Sequence, residues 1–257
     1  MSVATINSNG NSMWARYGVA SIERDLDRAM IQLSTGKRTS SAAIDAAGIG
    51  IAARLHAEQR GFAQAARNAF DGASLALAAD AALDEIGDLL QRQRELLVEA
   101  EAGTLTTAQT SDIAVEVGQL QTAIALIGAA AQWNGSAIFN STYTIGAGQD
   151  GADTYTFAAS SIAGVASNAA ASAVDTALVS LANYRAKLGA AVNVLTGVGE
   201  NMLATAAAAA ESRGRVEDTD YAEATAQLAR AQIIQQAATA MVAQANQQPS
   251  SVLALLS

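Results

Sequence analysis

The stretch DAAGIGIAAR, Asp45 to Arg54, decides the fold class. Its Gly48, Gly50 and Ala53 carry the spacing G-x-G-x-x-A, which marks a dinucleotide-binding loop where it joins a strand to a helix. Asp71 even lies near the downstream position of a ribose-binding acid. The residues before the stretch, TSSAAI from Thr39 to Ile44, are not an apolar strand, and no β-α-β alternation follows. Asp45 therefore reads as a helix N-cap, its carboxylate accepting from free N–H groups near Ala47 and Gly48. Asp71 then falls on the same helix and cannot fold back to a ribose.

Outward from this point, apolar residues recur at spacings of three and four. A first seam runs Val19, Ile22, Leu26, Ala29, Leu33 and stops at the STGK turn, Ser34 to Lys37. A second and much longer seam runs from Leu55 through Leu83, Ile86, Leu90, Gln93 and Leu97 to Ala100. A third spans Ile113 to Ala131, and a fourth Leu181 to Met202. Such a repeat is the signature of helices packed as in a coiled coil. Small residues in the second seam allow close approach. Only Ser136 to Asn168 does not read as helix. There, alternation in TYTIG and TYTFA around AGQDGAD predicts a β-hairpin, followed by a small mobile connector, Ser161 to Ala173. The fold class is mainly α, a long coiled-coil-like bundle formed by both chain ends with a short β-hairpin near the middle. Both ends are amphipathic and richer in seam than in core-filling bulk. They are expected to pair with each other or with other copies.

Composition removes several function classes. Hydrophobic residues are 51% of the chain but aromatics only 4%, so the core is aliphatic, and a single Pro leaves helices uninterrupted. The net charge of −9 repels nucleic acid. Without cysteine there are no disulfides or thiolate metal sites, and one histidine, His56, cannot form a His-His zinc site. His56 sits in a helical segment, a poor place for a Ser-His-Asp triad. No catalytic, cofactor or metal residues are assigned, and no enzyme is expected. The start MSVATINSNG lacks the basic and apolar regions of a signal peptide. No segment reads as the ~20 apolar residues of a membrane span; LQTAIALIGAAA, Leu120 to Ala131, comes nearest. The chain is thus either cytosolic or exported by a route that reads no cleavable signal.

Together these residues resemble bacterial flagellins. The N-terminal side carries TINSN (Thr5–Asn9), LSTGKR (Leu33–Arg38), DAAGIGIAAR, QAARNAFDGASLA (Gln64–Ala76), ALDEI, LQRQREL and QWNG. The middle carries YTIGAGQDGADTYTF, Tyr143 to Phe157, and the C-terminal side GRVEDTDYAEA, RAQIIQQA, AQANQQP and SVLALL. Each motif alone is weak; their order over the whole chain is specific. Departures include Ile44 in place of a usual acid, Trp133 in place of Phe, Gly214 in place of Ser, and an atypical MWARYG, Met13 to Gly18.

The resemblance implies a subunit that polymerises head-to-tail into the extracellular flagellar filament, exported without a cleaved signal peptide. The alternative within the same architecture is a hook–filament junction protein. Residues 1–44 and 216–257 would form inner filament-core helices and linkers. Residues 45–142 and 175–215 would form a helical shell, and 143–174 the hairpin and a short outer connector. Inner packing would fall to Ile22, Leu26, Leu33, Ile233, Ile234, Leu253, Leu255 and Leu256. Arg92, Arg94, Glu95, Leu96 and Glu116 would form a surface for subunit contact and for recognition by a host Toll-like receptor. On residues alone, Arg92 and Glu95 could equally be a solvated ion pair. Implied partners are other copies, the flagellar cap and hook-associated proteins, and an export chaperone for the C-terminal segment. The terminal stripes, 1–34 and 220–257, are expected to be largely unfolded until copies dock.

Overall fold

A computed structural model describes residues 9–254, with side chains over 9–247. Five helices carry the chain: α1 Gly10–Thr35, α2 Ala46–Glu101, α3 Thr107–Ala130, α4 Ala171–Glu217 and α5 Tyr221–Ala254. Between α3 and α4 lie β1 Gln132–Trp133, β2 Ser136–Ala137, β3 Ser141–Gly146 and β4 Thr154–Ala159. The mainly α class with a central hairpin is as expected. The chain divides into two compact units, residues 1–56 with 209–257 and residues 57–208.

In the first unit α1 and α5 form an antiparallel pair. At one end Asn9 Nδ2 donates to the Ala245 carbonyl at 2.7 Å, and Ser12 Oγ donates to Asn246 Oδ1 at 2.7 Å. At the other end α1 stops in a left-handed cap at Gly36, φ 70°, whose N–H donates to the Gln32 carbonyl. A Cβ there would stand 3.0 Å from Tyr221 Oη, so glycine is required by both conformation and space. The seam between the helices is built from short side chains, with Ala29, Ala224 and Ala231 buried and Ile22, Leu26 and Leu33 half-buried. Alanine methyls let the backbones approach but remove little apolar surface from water.

The linkers on this unit are tied together. Arg38 N donates to the Glu217 carbonyl at 2.7 Å and Thr219 N to the Gly36 carbonyl at 2.9 Å, around an antiparallel bridge between Lys37 and Asp218. Asp45 caps α2 as expected, Oδ1 accepting from Gly48 N at 2.7 Å, while its Oδ2 lies 3.0 Å from Arg38 Nη1. A Cβ on Gly48 would crowd that carboxylate and stand 2.8 Å from Thr39 Cγ2, whereas one on Gly50 would meet nothing within 4 Å. The glycine that looked like a phosphate loop is there for the cap.

The second unit has the aliphatic core. Leu83, Ile86 and Leu90 of α2, Val117 and Ile124 of α3, and Leu188 and Leu195 of α4 are buried in one cluster with Ile138 and Phe157. These are the seam residues, turned inward. The β3–β4 register pairs Tyr143 with Phe157, and their rings lie 5.7 Å apart. Gly72 admits this hairpin: a Cβ there would lie 2.8 Å from Ile145 Cγ1.

Three features differ from expectation. QWNGS is a tight β1–β2 hairpin, with Asn134 at φ 48° and Gly135 at φ 78°, the two left-handed residues of an Asn-Gly turn. The connector has no regular element before α4 but is tethered at one point: buried Gln93 donates to the Val165 carbonyl at 2.6 Å and accepts from Val165 N at 3.2 Å. In addition α4 begins at Ala171, whose N–H donates to Glu101 Oε1 at 3.0 Å. Finally, α3 contains a window of mean hydropathy 1.5, long and apolar enough by length and composition to cross a membrane. Ile113, Leu120 and Ile127 pack against the core of the second unit, which accounts for part of that apolar content.

Candidate subunit-contact surfaces

The α2–α3–α4 face gathers four of the five residues singled out on it into exposed ion pairs. Arg92 reaches Glu116 of α3 at 2.9 Å and Glu95 on its own helix at 3.2 Å. Arg94 reaches Asp175 of α4 at 2.6 Å. The hydrogen bond Arg92 donates to Glu116, then that to Glu95, raises the Arg92 pKa above its ordinary value, so the guanidinium stays charged at every accessible pH. Leu96 is placed differently. It is 2% exposed and belongs to the core beneath this face rather than to its surface. Helical geometry explains the split: Gln93, Leu96 and Leu97 share the inward side, and Arg92, Arg94 and Glu95 do not.

A neighbouring network was missed in the sequence. Arg185 of α4 forks onto Asp80 at 2.8 Å and also reaches Asp84 one turn along α2. The acids at i and i+4 were visible, but nothing local identifies a partner about a hundred residues away. The same holds for Gln93, which sits at a seam position where an apolar side chain is the usual occupant. Its role depends on a backbone segment that no periodicity describes.

On the first unit the expected inner residues are distributed over two faces. Ile22, Leu26 and Leu33 line the α1–α5 seam, and Ile234, 43% exposed, borders a groove it shares with Ile22 of α1, whereas Ile233 is 68% exposed. Trp14, 76% exposed, stands 6.3 Å from Tyr17 near the start of α1, and Met13 and Met241 are also exposed. The side chain of Leu253, and all of Leu255 and Leu256, lie outside the described residues. Among the described residues no group of three or more His, Asp or Glu converges as a metal site.

A helical subunit with paired ends, a second helical unit with its own core, and large apolar side chains left uncovered on the paired helices belongs to the class of structural, self-associating proteins. Residues 6–144 match the family description "Bacterial flagellin N-terminal helical region", and residues 171–256 match "Bacterial flagellin C-terminal helical region". The chain belongs to the bacterial flagellin family, which is structural and not enzymatic. It is 33% identical to the flagellar filament 33 kDa core protein of Treponema phagedenis over 98% of this chain and 99% of that one. The flagellin of Halalkalibacterium halodurans is likewise 33% identical over 98% and 99% of the two chains. The crystal structure of Bacillus cereus flagellin aligns with 53% of this chain and 88% of its own, at 25% identity and a TM-score of 0.48.

Proposed function

We propose that this chain is the subunit of a bacterial flagellar filament, polymerising head-to-tail outside the cell. The observation that carries the reading is the α1–α5 pair. Its seam is filled largely by alanines, and Trp14, Tyr17, Ile233 and Met241 are left facing away from any element of the unit. Surfaces of this kind are covered by association. A contact between unlike faces that does not close into a ring gives an open helix. The relatives named above are filament core proteins and flagellins, which favours the filament over the hook–filament junction.

In this reading residues 1–44 with 216–257 form the inner layer, residues 45–142 with 175–215 the surrounding shell, and 143–174 the hairpin and outer connector. The antiparallel α1–α5 pair is the form the ends take when docked; before docking they are largely unfolded. Export proceeds without a cleaved signal peptide, with a chaperone shielding the C-terminal segment. The cap and hook-associated proteins bound the polymer. The Arg92, Arg94, Glu95 and Glu116 face, backed by Leu96, serves subunit contact and Toll-like receptor recognition. The deciding experiment is electron microscopy of the purified chain after adding a precipitating salt. Long uniform fibres support the reading; monodisperse particles at every concentration and salt refute it.

A further inference from the structure

The net charge is divided unevenly between the two units. Residues 1–56 and 209–257 hold nine Lys and Arg against nine Asp and Glu, a net charge of zero. Residues 57–208 hold six against fifteen, which is −9 and the whole net charge of the chain. Within the neutral unit several charges are paired, Lys37 and Arg213 with Glu217, Arg38 with Asp45, Arg215 with Glu211 and Arg28 with Asp25. Beyond Arg230 the sequence has no Lys, Arg, Asp or Glu, and none precedes Arg16. In the acidic unit Glu85, Asp88 and Glu99 lie exposed on α2 without an ion-pair partner among the described residues.

We infer that the two units act differently in self-association: the neutral unit packs copy on copy without need of screening, and the acidic unit, on which the Arg92 contact face lies, opposes packing until cations screen it. The inference rests on the filament reading and adds where its salt dependence resides. Charge repelling charge between exposed surfaces falls off over a Debye length, roughly 10 Å at 0.1 M salt, so solvent-facing acids can be screened. Charges enclosed among copies are beyond the reach of mobile ions, and a surplus of one sign there would repel unscreened. A chain that stacks upon itself must therefore keep its enclosed part neutral, and can carry solubilising charge only where water and ions reach.

The test compares the salt threshold for sedimentable polymer in purified full-length chains, with sodium chloride as the probe. The triple variant Glu85→Gln/Asp88→Asn/Glu99→Gln lowers the acidic unit's surplus by a third; it assembles at about half the salt required by the unaltered chain. The triple variant Gln232→Glu/Gln236→Glu/Gln244→Glu puts three acids on exposed positions of α5; it fails to assemble at any salt, while circular dichroism reports the second unit still folded. Identical thresholds for the neutralised variant and the unaltered chain, or normal assembly of the α5 variant, overturn the inference and leave the filament reading intact. An unaltered chain that never sediments overturns both.

Discussion

Lys37, on the turn after α1, forms an ion pair with Glu217, the last residue of α4. Arg213 approaches the same carboxylate at 3.5 Å. The Lys37 hydrogen bond, aided by the nearby charges of Lys37, Arg213 and His56, outweighs desolvation and lowers the Glu217 pKa below its usual carboxylate value. A carboxylate with a depressed folded pKa adds stability above its unfolded pKa, about 4.3, and that addition disappears as pH falls through the folded pKa. Glu217→Gln should therefore cost about 0.5–1 kcal/mol at pH 7, a partly exposed pair being weak. Urea denaturation at pH 7 and at pH 3 checks this: the gap between variant and unaltered chain narrows in acid. A gap that widens in acid contradicts the assignment.

Gly48 and Gly50 separate the two readings of the opening motif. Gly48→Ala places a methyl against Thr39 and the capping Asp45, and should destabilise the first unit by about 1–2 kcal/mol, the value of a lost N-cap. Gly50→Ala meets open space on a helix and should stabilise by about 0.5–1 kcal/mol. Thermal unfolding of the two variants measures the difference in sign. Equal effects would show that the cap is not what holds Gly48.

Gln93→Leu keeps the volume of the core but strips the Val165 N–H and carbonyl of their partner. Leaving buried backbone groups unsatisfied costs about 1–3 kcal/mol. Denaturation should show that loss, and hydrogen exchange should quicken at Val165 before it does in the β3–β4 hairpin. Unchanged exchange at Val165 would mean the connector is held by something else.

Much of the fold was legible because it is periodic. The seams around Leu83, Ile86 and Leu90, around Val117 and Ile124, and around Leu188 and Leu195 turned inward as their spacing required. The capping role of Asp45 was readable because caps are local. What escaped was non-local or aperiodic. Glu101 reaches the start of α4 across seventy residues, and Arg185 finds Asp80 across more than a hundred. The family resemblance alone puts Leu96 on the Arg92 surface, yet the helix turns it to the core. The Asn-Gly turn at Asn134 is local and readable in the sequence, as the two left-handed residues show.

Removing Ser251 to Ser257 should abolish filament growth while leaving residues 57–208 folded, because the tail is assigned to the inner layer and not to the second unit's core. Electron microscopy and circular dichroism of the truncated chain report the two outcomes separately. Normal filaments from it would remove the tail from the packing scheme.

At the Arg92 face, purified monomer should stimulate cells bearing a flagellin-sensing Toll-like receptor. Arg92→Ala should raise the dose for half-response about tenfold, the usual effect of losing one central interface arginine. Silence at high dose from the unaltered chain would reduce the Arg92, Glu95 and Glu116 cluster to a surface ion network.

In the proposed filament the apolar stripes of α1 and α5 await identical partners. Amide hydrogen exchange over residues 10–35 and 221–254, measured on dilute monomer and on sedimented polymer, tests it most directly. Fast exchange in the monomer and slow exchange in the polymer is the expected result. Equal, strong protection in a monomer that forms no polymer at any concentration would contradict it.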